Sequence, residues 1–203
     1  MRQLRCVGMV AIAVWAGAGV VAAQHGARDG QWRTYNGDSG STKYAPLDQI
    51  NKSNVTSLRI VWRRPAVDPT LTAKDSTLRI APNFRATPLM VNGVLYAPDG
   101  VGLAEAFDPS TGKTRWVQEP FAPSELEGDS TRGLAYWSDG RDERILLQRG
   151  EYLYALNAKT GKGYSDFGDR GRVNLTRGLG PLQRIYTKLR EYFMRLILRC
   201  LSA

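Results

Sequence analysis

Histidine is nearly absent: His25 is the single one in 203 residues. A zinc site or a nucleophile activated by an imidazole would have no ligand set or base to draw on. Cysteine is almost as scarce, with Cys6 and Cys200 as the two. Cys6 lies in a segment expected to be removed, so no intramolecular disulfide is expected in the mature chain. No apolar run reaches the ~20 residues of a membrane span. The longest, Cys6 to Val21, follows Arg2 and Arg5 and ends at Val21-Ala22-Ala23 before Gln24. A basic start, an apolar middle and small residues at the end describe an export signal. Residues 1–23 are therefore read as a signal peptide, the alternative being an uncleaved N-terminal membrane anchor, and a periplasmic or secreted location is expected.

The charge pattern lacks a basic stripe. Of the formal +9, Arg2 and Arg5 account for two, and Arg184, Lys188, Arg190, Arg195 and Arg199 against Glu191 account for four more. Only +3 is left on residues 24–181, and those cations are not interleaved with stacking aromatics, so no nucleic-acid partner is expected. No G-x-G-x-x-G follows a strand; Gly168, Gly171, Gly178 and Gly180 read as turns. Asp99, Asp129, Asp139 and Asp142 fall in expected loops and read as solvated.

What is present is a repeat. Ala106 to Trp116 reads as a strand, a tight turn at Thr111-Gly112, and a second strand ending in a large aromatic. A weaker copy runs from Ala155 to Lys162, and the two Thr-Gly-Lys cores lie 49 residues apart. That is the spacing of successive four-stranded propeller blades. Asp108 or Asn157 can bond the turn amides, glycine supplies the turn geometry, and Trp116 offers a face to the neighbouring blade. The first blade is expected from Thr87, with a hairpin at Asn92-Gly93, where both positions favour positive φ. It continues through Val94–Ala97, Leu103–Phe107 and Lys113–Gln118. The second is expected as Gly133–Trp137, Arg144–Gln148 and Tyr152–Asn157, without a fourth strand, because Ser165 stands where the repeat asks for Trp. Leu58–Trp62 alternates like a strand, and the Pro-containing stretch 63–83 reads as a loop. After Pro181, Leu182, Ile185, Leu189, Phe193, Leu196 and Ile197 fall at helical spacing with basic residues between them. That basic amphipathic helix suits a membrane surface, a partner, an exposed sheet edge, or a tail left by a break in the reading frame.

The pattern A-x-[DN]-x-x-T-G-K-x-x-W resembles the tryptophan docking motif of the pyrroloquinoline quinone (PQQ) dehydrogenases, the quinoproteins. The opening Trp32-Arg33-Thr34-Tyr35-Asn36-Gly37-Asp38 with Lys43-Tyr44-Ala45-Pro46-Leu47-Asp48-Gln49-Ile50-Asn51 resembles the same family, as do Arg132-Gly133-Leu134-Ala135-Tyr136-Trp137 and the stretch from Phe167 to Leu175. The resemblance implies an all-β fold: a partial β-propeller of about two four-stranded blades from a quinoprotein-type eight-bladed wheel, with the amphipathic helix at the C-terminus. It divides the chain into a signal peptide (1–23), an N-terminal extension with a ring-closing strand (24–62), the two-bladed propeller portion (84–180), and a tail outside the family pattern (181–203). It further implies PQQ and calcium as cofactors, an alcohol or sugar as substrate, and Arg132 facing the quinone. Arg85 stands where many quinoproteins place Glu, and either binds a PQQ carboxylate or is solvated. No position matches the family's calcium ligands or its catalytic Asp, so the chain is expected to be the N-terminal portion of such an enzyme and inactive alone. The electron acceptor is left unassigned. The alternative is a non-catalytic propeller of similar repeats acting as a scaffold.

Overall fold

The computed structural model describes residues 26–178, apart from 28, 39, 79 and 122–132. The expected signal peptide, Arg132, Asp129 and the expected C-terminal helix all lie outside the described residues. Eight strands form two four-stranded antiparallel sheets, ordered β1-β2-β3-β4 and β5-β6-β7-β8. The first comprises β1 (Leu89–Val91), β2 (Val94–Pro98), β3 (Ala104–Phe107) and β4 (Thr114–Val117). The second comprises β5 (Ala135–Ser138), β6 (Glu143–Arg149), β7 (Tyr152–Asn157) and β8 (Arg172–Asn174). The β1–β2 hairpin closes at Asn92-Gly93, with φ of 49° and 72°, the signs the two-residue turn requires.

Alternation along the strands decides what lies between the sheets. Leu89, Val91, Tyr96, Ala106 and Trp116 of the first sheet share one buried cluster with Ile145, Leu147, Tyr154 and Leu156 of the second. The opposite face of the second sheet carries Trp137, 44% exposed, and Val173. A smaller core joins Val67 and Leu71 to Val101 and Leu103.

Both Thr-Gly-Lys turns are built alike. The Asp108 carboxylate accepts from the amides of Ser110 and Thr111 at 3.0 Å each, and Asn157 Oδ1 accepts from those of Lys159 and Thr160 at 3.0 and 3.1 Å. Each turn then receives a tryptophan from the preceding segment. Trp116 Nε1 donates to Ala158 O at 2.9 Å, and Trp62 Nε1 donates to Pro109 O at 2.9 Å. A Cβ on Gly161 would stand 2.5 Å from the Trp116 ring, and one on Gly112 2.7 Å from that of Trp62. Glycine is thus required for contact as well as for its positive φ of 71° at Gly161. Gly161→Ala is expected to lower stability by about 1–3 kcal/mol. Gly93→Ala, also at positive φ but with open space around it, should lose no more than about 1–2 kcal/mol. Urea midpoints of the two variants would separate contact from backbone strain.

Two features differ from the sequence-based expectation. The second sheet has its fourth strand: β8 pairs with β7 through Tyr152–Asn174, Leu153–Val173 and Tyr154–Arg172. It arrives after a loop that folds back on β7, with Ala155 N donating to Gly171 O at 2.9 Å and Tyr164 N to Ala155 O at 3.1 Å. The stretch 63–83 contains a short helix, α1 (Pro69–Lys74), capped by Asp68, which accepts from Thr70 N at 2.9 Å. Leu58–Trp62, expected as a ring-closing strand without its blade, belongs to no sheet among the described residues.

Candidate cofactor site

The inner strands of the two sheets begin side by side. Thr87, just before β1, and Gly133, just before β5, form a parallel bridge. Arg85 precedes Thr87 by two residues, and Arg132 immediately precedes Gly133 in the sequence. Arg85 is exposed and makes no hydrogen bond or ion pair with any described residue. The N-terminal segment lies along the free edge of β1. Trp32 N donates to Met90 O at 2.7 Å, and Met90 N returns a bond to Trp32 O at 3.0 Å. Gln31 Oε1 accepts from Asn92 N at 2.9 Å. From there the segment crosses to the second sheet, where the Arg33 guanidinium sits 5.7 Å from the Tyr136 ring centre. The Tyr35 ring lies 2.9 Å from where a Gly133 Cβ would be. This junction collects Tyr35, Thr87 and the start of β5.

Charge is also buried farther out. Arg64 Nη2 donates to Glu105 Oε2 at 2.6 Å and to Thr114 Oγ1 at 3.3 Å, while its guanidinium lies 4.2 Å from the Phe107 ring centre. Thr114 Oγ1 donates to Asp68 Oδ2 at 2.6 Å. Burial pushes Glu105 up to about 7, against the pull of Arg64. Burial would raise Asp68 too, but bonds from Thr114 and Thr70 and the charge of Arg64 hold it below the usual carboxylate value. Asp99 corrects the reading of loop carboxylates as solvated. It is 1% exposed, and its Oδ1 accepts from Val101 N at 3.0 Å and Leu103 N at 2.8 Å. Burial pushes it up to about 6, despite those bonds and the nearby charge of Arg149. Arg149 reaches across from β6 and donates to Val101 O at 2.8 Å. Asp142 is engaged as well, accepting from Tyr164 OH and, at 2.7 Å, from Arg144 Nε.

Sequence reasoning missed Tyr35, Trp62 as a docking residue, and the buried Asp99 and Glu105. Trp62 stands 49 residues before Thr111, but no Thr-Gly-Lys core precedes it to mark it as a repeat end. Asp99 sits beside Pro98 and Gly100, a context that spells an exposed turn.

Two successive four-stranded sheets, each receiving a tryptophan on a Thr-Gly-Lys turn and sharing one core, define a portion of a tryptophan-docked β-propeller. A family model described as PQQ: Glucose/ethanol/alcohol dehydrogenase, beta-propeller domain, matches residues 32–193. The chain belongs to that family of quinoprotein dehydrogenases. It is 31% identical over 159 residues to the alcohol dehydrogenase (quinone), dehydrogenase subunit, of Gluconobacter oxydans (strain 621H), covering 72% of this chain and 18% of that one. With quinoprotein glucose dehydrogenase A of Acinetobacter calcoaceticus it shares 27% identity over 172 residues, covering 74% of this chain and 21% of the relative. The crystal structure of quinohemoprotein alcohol dehydrogenase from Comamonas testosteroni superposes with a TM-score of 0.57 at 25% identity, over 77% of this chain and 21% of that one. The chain thus spans about a fifth of the length of these relatives.

Proposed function

We propose that this polypeptide supplies the first two blades of an exported PQQ-dependent dehydrogenase acting on alcohols or sugars, and that Arg85 and Arg132 bind carboxylates of the quinone. The observation that supports the reading is the Thr87–Gly133 bridge, because it sets side by side two residues that Arg85 and Arg132 closely precede in the sequence. PQQ has three carboxylates, and a guanidinium bonds carboxylate oxygens in pairs. The exposed Arg85, with no competing carboxylate among the described residues, suits that task.

When bound, PQQ supplies the two-electron acceptor for substrate oxidation. The part of this chain is to bind and orient it. No group of three or more His, Cys, Asp or Glu among the described residues could hold a metal ion. Calcium therefore finds no fit there, and no step is assigned to it. The family resemblance puts the base for the hydroxyl proton in later blades, so turnover by this chain alone is not expected. The periplasm or the exterior is the proposed location, on the strength of the N-terminal pattern. The proposed membrane-surface contact of residues 181–203 falls outside the described residues and gains no support from them.

Titration of PQQ into the protein, followed by quenching of tryptophan fluorescence, tests the arginines. Arg132→Ala and Arg85→Ala are each expected to weaken binding roughly 10- to 100-fold, the worth of a charged hydrogen-bonded pair. Unchanged affinity in either variant removes that residue from the site. Absence of saturable binding in the parent protein would favour the non-catalytic scaffold.

A further inference from the structure

Two asparagines in the sequence precede glycine, Asn36 and Asn92, and the fold treats them differently. Asn36 is held. Its Nδ2 donates to Ser41 Oγ at 3.1 Å, and its carbonyl accepts from Lys43 N at 3.0 Å. Gly37 N donates to Thr34 O at 3.0 Å, and Gly37 is buried, with a Cβ there standing 3.0 Å from the Trp32 ring. Asn92 lies open at the tip of the β1–β2 hairpin. It is exposed, and its side chain makes no hydrogen bond with any described residue. The Gly93 N–H is likewise without an acceptor among the described residues, and a Cβ on Gly93 would meet nothing within 4 Å.

We infer that Asn92 is a site of spontaneous covalent modification, where its side-chain amide closes onto the Gly93 nitrogen and water opens the ring to aspartate or isoaspartate. The Gly93 nitrogen gives its proton to solvent and bonds to Asn92 Cγ. The Cγ–Nδ2 bond breaks and ammonia leaves, giving a five-membered imide. Water then adds to either imide carbonyl, so the net exchange is water in and ammonia out, with nothing oxidised or reduced. Closure needs the turn to rotate out of its positive-φ shape, and glycine rotates freely and has no side chain to block the approach. Arg115 donates to Gly93 O at 3.5 Å and is shared with Asp108. It sets a cation beside the turn, which favours the anionic nitrogen and the new carboxylate. Isoaspartate adds a carbon to the backbone of a two-residue turn whose Val91–Val94 pairing fixes the register, so the hairpin loosens where Gln31 ties the N-terminal segment to Asn92 N. The site draws on none of the residues proposed for the quinone.

Incubation of the full chain in warm, mildly alkaline buffer tests this, with peptide mapping by mass spectrometry and enzymatic methylation of isoaspartate as readouts. Conversion at Asn92 is expected to run at least about tenfold faster than at Asn36, which must first break several hydrogen bonds. In concentrated urea the two should convert at similar rates, because the selectivity comes from the fold. Asn92→Gln, whose longer side chain closes a ring far more slowly, should lose the label at the hairpin, and Gly93→Ala should slow conversion at Asn92 by about tenfold or more. Equal rates at Asn36 and Asn92 in the folded chain, an Asn92 that stays unmodified while the urea-treated chain converts, or selectivity that persists in urea would each overturn the inference.

Discussion

Trp116→Ala is expected to destabilise the protein by about 3–5 kcal/mol, the usual loss on truncating a buried Trp or Phe. That is a large part of the 5–15 kcal/mol that holds a typical domain together. Trp116 is 9% exposed, packs beside Tyr96 with ring centres 6.0 Å apart, and lies against Gly161 of the other sheet. Truncation removes that area, opens a cavity between the sheets, and leaves the Ala158 carbonyl without its indole donor. Trp62→Ala removes the equivalent contact on the first turn, but Trp62 is only partly buried, so a smaller loss is expected. Trp137→Ala, on the exposed outer face, should change stability by less than about 1 kcal/mol. Denaturant unfolding of the three variants checks the order. Equal losses at Trp116 and Trp137 would mean the sheets do not pack as described.

The second large effect is a loss of stability as pH rises from about 4 to about 7. Asp99 and Glu105 have folded pKa values of about 6 and about 7, raised by burial above ordinary values of 3.8 and 4.5. A carboxyl with a raised folded pKa is bound to its proton more tightly in the folded state. Its contribution is full below the unfolded value and is lost as pH climbs through the folded one. At 1.36 kcal/mol per unit, each group removes roughly 2–3 kcal/mol by neutral pH. Asp68 acts oppositely: its carboxyl is held low, so its stabilisation is present above pH ~4 and is lost in stronger acid. Maximum stability is therefore expected near pH 4–5. Asp99→Asn keeps an oxygen where Oδ1 accepts two amides, and replaces Oδ2, which has no partner. The variant should be more stable than the parent by about 1–3 kcal/mol at pH 7.5 and indistinguishable from it at pH 4. Urea unfolding at the two pH values measures both differences. A parent whose stability rises steadily from pH 4 to 7 would contradict the account.

Much of this architecture is legible in the residues because the signals are local. Asn92-Gly93 sets the first hairpin, and Asp108 and Asn157 announce the two turns through bonds within a few residues of themselves. The interface partner of Trp116 follows from the repeat spacing. What escaped notice depends on distance. The strand β8 comes from residues 172–174, past a loop that no repeat pattern anticipates. The helix α1 carries a readable start in Asp68-Pro69, but it is six residues long and sits in a Pro-containing stretch. Burial of Asp99 comes from Arg149 and the 63–82 segment closing over its turn, contacts far away in sequence. Of the proposed site, Arg132 is suggested by the family pattern and Arg85 by standing where that pattern has Glu, whereas Tyr35 came into view only with the N-terminal segment lying along β1.

Adjacency of the inner-strand starts can be measured with a cysteine pair. With Cys6 and Cys200 changed to Ser, and Tyr35 to Ala to clear the ring that a Gly133 Cβ would meet at 2.9 Å, Thr87→Cys and Gly133→Cys would place two thiols on bridged neighbours, whose backbones run about 4.8 Å apart, inside the Cα range of about 4.4–6.8 Å that a disulfide tolerates. Mild oxidation of the dilute protein should give an intramolecular bond, seen as a two-hydrogen mass loss that reductant reverses. Thiols that stay free, or that join only between molecules, would show that the two inner strands do not begin together and that Arg85 and Arg132 do not share a quinone.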